Sequence, residues 1–315
     1  MIVAVVIPCF RVKKHILDVI KSIGDEVTII VAVDDCCPEG TADHIEKNLS
    51  DPRLRILRHT ENQGVGGATI SGYMHALLEG ADVVVKIDGD GQMDPTLLPA
   101  LIKPILKGKA DYCKGSRFFD LESLASMPRL RLLGNAILSF VNKVSSGYWD
   151  VMDPTNGFTA IHRVALTQLP LSKISNRYFF ESDMLFRLGT LRAVVCDRTM
   201  SAKYDDEESS LSIAQVMFEF PSLYLKCFFK RVFYSYFLRD FNGASMQLFL
   251  GLCLLGFGGV WGGSKWIEAM ALNVPSTSGT VMLAGLPIIL GFQLLLSAIQ
   301  FDMTNVPREP LQQKD

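Results

Sequence analysis

The stretch VVVKIDGDGQMDP, residues 83–95, runs an apolar β-type segment directly into Asp88, Asp90 and Asp94, with Gly89, Gly91 and Gln92 between them. Like charges one residue apart repel unless a cation stands between them, so the stretch calls for a metal ion, a basic ligand or a solvated turn. Asp94 followed by Pro95 is a helix-start signal, which assigns that carboxylate to capping.

Outward from this stretch, IVAVVIP (2–8), VTIIVAVDD (27–35), LRILRH (54–59) and VVVKIDGD (83–90) read as strands buried on both faces, by their continuous apolar character. Helix-like stretches at about 12–23, 41–49 and 66–79 separate them. Such alternation predicts an α/β, Rossmann-like fold: a mostly parallel sheet with helices on both faces and its ligand crevice at the carboxyl ends of the strands. Polar residues collect at all four of those ends: Pro8 to Arg11, Asp34 with Asp35, Asn62 to Gly67, and Asp88 to Gln92. The glycine run NQGVGGA reads either as a tight strand-to-helix turn or as a relative of the dinucleotide fingerprint. A dinucleotide fold would place its glycines after the first strand, where PCFRV stands instead.

A chain of 315 residues with a formal charge of −2 has a sizeable core and no global field that would recruit nucleic acid, so none is expected as a partner. Seven scattered cysteines show no paired CxxC spacing and five histidines form no HExxH, which fits reduced thiols on the cytosolic side. Met1 leads at once into IVAVVIP without a basic region or cleavage site, so an exported precursor is not expected.

After about residue 210 the character changes. No charged residue occurs from Phe241 to Ser264 or from Ala269 to Phe301, and each run exceeds the roughly 20 apolar residues that span hydrocarbon. Two transmembrane helices are predicted, at about 244–261 and 280–301. Lys226, Lys230, Arg231 and Arg239 precede them and Arg308 and Lys314 follow, whereas the connection holds only Lys265 and Glu268. The basic flanks place both termini in the cytoplasm of an integral inner-membrane protein. FEFPSLYLKCFFKRVFYSYFLRD mixes aromatics with bases as an interfacial helix does. The expected organisation is a cytosolic domain at 1–210, juxtamembrane amphipathic helices at 211–240, two spans at 241–303 and a cytoplasmic tail at 304–315. Glycine in LGFGGVWGG fits close helix packing and permits a homo-oligomer.

VVIPCF, VDDCCPEGT, NQGVGGA, KIDGDGQMDP, KGSRF, DPTNGF and YFFESDM, in this order over about residues 1–210, resemble the inverting family 2 glycosyltransferases of GT-A fold. Within them the likeness is to the membrane-bound polyprenyl-phosphate glycosyltransferases related to dolichyl-phosphate mannose synthase. Arg11 and Val12 stand where the family continues with Asn-Glu, and Cys36 and Cys37 where it reads Gly-Ser. The resemblance implies transfer of a sugar from a UDP- or GDP-sugar to a polyprenyl phosphate at the cytoplasmic membrane face. Asp88 and Asp90, with Gln92, would hold Mg²⁺ or Mn²⁺, which offsets charge growing on the departing diphosphate. Pro8, Phe10, Asp34 and Asp35 would bind the donor together with Asp88 and Asp90.

Arg117 and Arg131 would hold the acceptor phosphate, since guanidinium groups suit bidentate phosphate capture. Asp153 is the expected acceptor-side carboxylate, with Glu181 and Asp183 as further catalytic candidates beside Asp90. A hydroxyl acceptor needs such a carboxylate as base, whereas a phosphate acceptor is already anionic. Two other readings remain: transfer to a saccharide hydroxyl in surface-polysaccharide or glycolipid assembly, and a membrane-tethered protein that binds without catalysis. The acidic segment AKYDDEESSLS, 202–212, reads as either a closing loop or a linker.

Overall fold

Valine and isoleucine fill the centre of a seven-stranded sheet: β1 (Val3–Cys9), β2 (Ile29–Asp34), β3 (Leu54–Arg58), β4 (Val83–Lys86), β5 (Tyr112–Ser116), β6 (Thr159–His162) and β7 (Val195–Thr199). The strand order is β3-β2-β1-β4-β6-β5-β7. The structure, a computed structural model, describes residues 1–117, 129–200 and 213–314. Every pairing is parallel except those of β6, which runs antiparallel to both β4 and β5. This register lines up Lys86, Thr159 and Lys114 as one row across β4, β6 and β5.

Side chains alternate across the sheet, and both faces are covered. Val5 and Ile7 join a core with Ile16, Val19 and Ile20 of α1 (Ile16–Lys21) and Leu101, Ile102 and Ile105 of α4 (Leu98–Leu106). On the opposite face Val6 and Val33 meet Gly72 of α3 (Gly64–Leu78), where a Cβ would lie 2.2 Å from Val6. The helix α2 (Thr41–Asn48) connects β2 to β3. Helices α5 (Arg129–Ser146), α6 (Arg163–Gln168) and α7 (Phe180–Leu191) follow β5 and flank β6.

The sequence boundaries move in three places. Strand β4 stops at Lys86 rather than residue 90, because the chain turns through Gly91 at φ +80°, a conformation glycine adopts without strain. Residues 12–15 form a turn, so α1 begins at Ile16, and α3 begins at Gly64. Asp94 accepts from the Thr96 N–H at 3.0 Å with Pro95 in the first position, as the helix-start signal predicts.

The chain divides into two units, Met1–Phe229 with Pro307–Asp315, and Lys230–Val306. In the first, α8 (Ile213–Phe233) lays Phe220, Tyr224 and Cys227 against Phe179 and Phe186. Residues 307–314, within the stretch expected as a cytoplasmic tail, return to the sheet domain. The buried Asp111 carboxylate accepts from Val194, Leu311 and Gln312 N–H at 2.8, 2.9 and 3.2 Å. The Gln312 amide donates to the Ala110 and Ile105 carbonyls.

The second unit holds α9 (Gly243–Leu272) and α10 (Ser278–Thr304), joined by a short turn. Both are long and apolar enough to cross a membrane. Only 22% and 11% of their most apolar windows are buried, unlike the core helices of a soluble protein. They meet through glycine: a Cβ on Gly251 would lie 3.0 Å from the Gly291 carbonyl, and one on Gly258 2.8 Å from that of Ala284. Gly256, Gly259 and Gly263 face open space, so only part of the glycine run serves this contact. Asn242 and Ser245 cap α9 reciprocally, and Arg231 pairs with Asp302 at 2.7 Å within the same unit.

Candidate active site

The carboxyl ends of β1, β2 and β4 bring the first set of predicted residues to one edge. Pro8 is buried in β1, while Phe10 just beyond is 41% exposed, with the Arg11 guanidinium 5.3 Å from its ring centroid. Arg11 and Cys36 both adopt positive φ, so the two loops bend sharply as they leave the sheet. Asp34 accepts from the Cys37 and Ala42 N–H groups at 2.7 and 2.8 Å, tying the loop to the start of α2.

Asp35 is 2% exposed and accepts from the Gln63 and Gly64 N–H groups at 2.9 and 2.8 Å, at the start of α3. His59 bridges Asp35 at 2.8 Å and Ser71 at 2.9 Å through its two ring nitrogens. The carboxylate is thereby held by three groups, which fixes its direction. His59 carries no signal in the sequence, being one polar residue at a strand end. The glycines of NQGVGGA serve a close approach: a Cβ on Gly66 would lie 2.3 Å from the Ser175 carbonyl, and one on Gly64 2.6 Å from that of Asn176.

The segment that follows β4 carries the paired carboxylates. Asp88 Oδ1 accepts from Lys86 Nζ at 2.7 Å, and Asp90 Oδ1 accepts from the Gln92 N–H at 3.0 Å. Lys86 is 1% exposed and also meets Glu181 Oε1 at 3.1 Å and the Gly157 carbonyl at 3.4 Å. Burial opposes its charge, yet Asp88 and Glu181 outweigh that and hold the ammonium above its ordinary range. Gly157 lacks the Cβ that would stand 2.3 Å from Asp88 Oδ2, so that oxygen lies over a cradle only glycine leaves open.

Mg²⁺ and Mn²⁺ take hard oxygen donors and are commonly held by one or two carboxylates completed by substrate phosphates. The oxygens of Asp88, Asp90 and Gln92 fit that demand. Among the described residues there is no cluster of three or more His, Cys, Asp or Glu that could hold an ion by itself.

The second set lies across β5 and β6. Arg117 grips Asp153 side-on, with Nε to Oδ2 at 2.7 Å and Nη2 to Oδ1 at 3.0 Å. Asp153 is 1% exposed in its side chain, and Arg117 is 27% exposed. Arg117 and Asp153, two of the three residues assigned to the acceptor side, thus form one pair. Asp183 accepts from the Ser175 N–H at 2.8 Å and from Arg187 at 3.1 Å, which anchors the loop that packs on α3. Glu181 and Asp183 both occupy the first turn of α7. Arg131 stands in the first turn of α5, and its side chain lies outside the described residues, as does the whole segment 202–212.

Lys114, left without a role by the sequence, is fully buried and donates to the Asn156 carbonyl. Burial pushes it down to about 8 against the pull of Glu181, Asp153 and Asp197. Burial likewise pushes Asp197 up to about 6, although the Met152 N–H and Lys114 favour its ionised form. Lys86 was not singled out by the sequence: it is one lysine closing an apolar strand, and its contact with Asp88 depends on how the chain turns beyond β4.

Comparison with known proteins adds the family. The family model described as glycosyl transferase family 2 matches residues 4–169. The UDP-N-acetylglucosamine–dolichyl-phosphate N-acetylglucosaminyltransferase of Methanococcus voltae is 30% identical over 192 residues, 56% of this chain and 76% of the relative. The undecaprenyl-phosphate mannosyltransferase of Micrococcus luteus is 32% identical over 164 residues, 51% of this chain and 66% of its own. Among solved structures, glucosyl-3-phosphoglycerate synthase from Mycobacterium tuberculosis, in complex with Mn²⁺, UDP-glucose and phosphoglyceric acid, superposes with a TM-score of 0.53. That match covers 73% of this chain and 79% of the other at 18% identity, a likeness of fold. A sheet of this order, a carboxylate pair at its carboxyl edge and a family match across more than half the chain agree: the protein is a glycosyltransferase of GT-A fold and belongs to glycosyl transferase family 2.

Proposed function

We propose that the protein moves one sugar from a UDP- or GDP-sugar to a polyprenyl phosphate, with inversion at the anomeric carbon, at the cytoplasmic face of the inner membrane. Both termini and the catalytic unit lie in the cytoplasm in this reading. The observation that carries it is the state of the three carboxylates available as bases: Asp153 is paired with Arg117, Glu181 with Lys86 and Asp183 with Arg187. A carboxylate whose oxygens already accept from a cation is poorly placed to take a proton from a sugar hydroxyl. A phosphate acceptor arrives ionised and needs no such base. Two apolar helices suited to a membrane and relatives named for dolichyl and undecaprenyl phosphate support the same acceptor.

Asp88, Asp90 and Gln92 would hold the divalent ion, which when bound neutralises charge developing on the departing diphosphate. Asp34 and Asp35 shape the donor loops, with Pro8 and Phe10 beside them. Arg117, oriented by Asp153, presents its guanidinium to the acceptor phosphate, and Arg131 adds a second. Attack opposite the diphosphate inverts the anomeric centre.

The test is transfer of radiolabelled sugar from a panel of UDP- and GDP-sugars to undecaprenyl phosphate in detergent, with Mn²⁺ or Mg²⁺. A labelled lipid that requires the ion and is lost with Asp90→Ala is expected. A sugar transferred to saccharide while lipid phosphate stays unlabelled would overturn the acceptor.

A further inference from the structure

Lys86 is a buried cation for which the transfer chemistry above has no use. An ammonium inside a sheet loses its hydration, and only well-placed partners compensate. Its partners come from three separate segments of the site: Asp88 beyond the same strand, the Gly157 carbonyl in the DPTNGF loop, and Glu181 in the first turn of α7. An ordinary core ion pair would join neighbouring elements at any point of the sheet. This one engages the first member of the carboxylate pair, and it takes a single oxygen.

The geometry divides Asp88 in two. Oδ1 receives Lys86 Nζ at 2.7 Å, whereas Oδ2 lies above the Gly157 cradle. The Asp88 side chain is 29% exposed, in contrast to the 1% of Lys86, so a buried lysine holds a carboxylate that remains partly accessible. Charge matters as much as direction. Lys86 Nζ stands 2.7 Å from Asp88 Oδ1 and offsets the charge of that carboxylate.

We propose that Lys86 is a positioning residue that sets the strength of divalent-cation binding: it fixes Asp88 through Oδ1 and offsets its charge, so the ion is held loosely enough to leave with the nucleoside diphosphate. The inference rests on the metal-assisted reading above. An ion bound too tightly would retain the diphosphate product, and release would then limit turnover.

The experiment is an electron paramagnetic resonance titration of Mn²⁺ into the full-length protein in detergent, with saturating UDP or GDP, alongside transfer kinetics. Lys86→Met is expected to bind Mn²⁺ about tenfold more tightly while kcat falls, since an adjacent counter-charge is removed from an otherwise unchanged carboxylate pair. Because Lys86→Met leaves Glu181 without its partner, the double variant Lys86→Met/Glu181→Gln is measured too, with thermal melting as a check of the fold. Measured beside Glu181→Gln alone, the double variant is expected to bind Mn²⁺ more tightly, because the Glu181 charge is then absent from both. A folded double variant that binds Mn²⁺ no more tightly than Glu181→Gln would overturn the proposal, because Lys86 would then serve only Glu181. Wild-type protein that binds no Mn²⁺ with either nucleotide would overturn the metal-assisted reading, and this inference with it.

Discussion

Lys114 shows how a single buried charge makes stability depend on pH. Its folded value of about 8 lies below the ordinary 10.5, so between these values the unfolded chain binds a proton that the folded chain has given up. Stability attributable to this residue therefore rises with pH across that window, and below it the full cost of burying the charge applies. The stability difference between wild type and Lys114→Met should shift toward wild type by up to about 3 kcal/mol between pH 7.5 and 10.5. Denaturant melts at several pH values check this, and titrations shared by both proteins cancel in the difference. A pH-independent difference would show that the ammonium stays charged throughout. At this scale the sequence was legible where a residue announces itself by position, as Asp94 before Pro95 did. It was silent on the Arg117–Asp153 pair, because 36 residues separate the partners and only the fold joins them.

Among the elements, α3 shows most clearly why a motif and its purpose are different things. NQGVGGA was readable as a glycine-dependent turn, and the turn is there; the reason for the glycines is the backbone of residues 175–177 lying against the helix. Nothing local to either segment encodes that approach. Gly66→Val should force the Ser175 carbonyl away from α3, with a loss of about 1–3 kcal/mol in stability from overpacking. It should also loosen Asp183, whose carboxylate holds the Ser175 N–H. Thermal melting measures the first effect, and protection of the Ser175 amide in hydrogen exchange measures the second. Strands β1, β2 and β4 were readable from their apolar runs because each is buried on both faces; β3, expected to be buried likewise, is the edge strand and leaves Arg55 and Arg58 exposed. The β5, β6 and β7 half, with β6 reversed between parallel neighbours, was not, since its strands are short and interrupted by Lys114, Gly115 and Asp197.

The whole molecule is a catalytic unit that the chain leaves at Phe229 and re-enters at Pro307. The apolar runs foretold the two long helices, whereas the return could not be read from a short polar end with ordinary composition. Deleting residues 307–315 would remove two of the three N–H groups on the buried Asp111 carboxylate and both amide contacts of Gln312. A buried carboxylate stripped of partners costs about 2–4 kcal/mol. The truncated protein should melt several degrees lower, with Asp111→Asn in the truncated chain recovering part of the loss. Equal melting of the truncated and full-length proteins would show the return to be dispensable.

The contact between Asp111 and Leu311 also imposes an order on synthesis. These partners stand 200 residues apart, and both apolar helices are made between them. Domains generally acquire structure from the amino terminus as the chain emerges. The sheet of this one can assemble early, yet its last carboxylate waits for residues made after the second apolar helix, so catalytic-domain maturation finishes only once the hydrophobic hairpin has been synthesised.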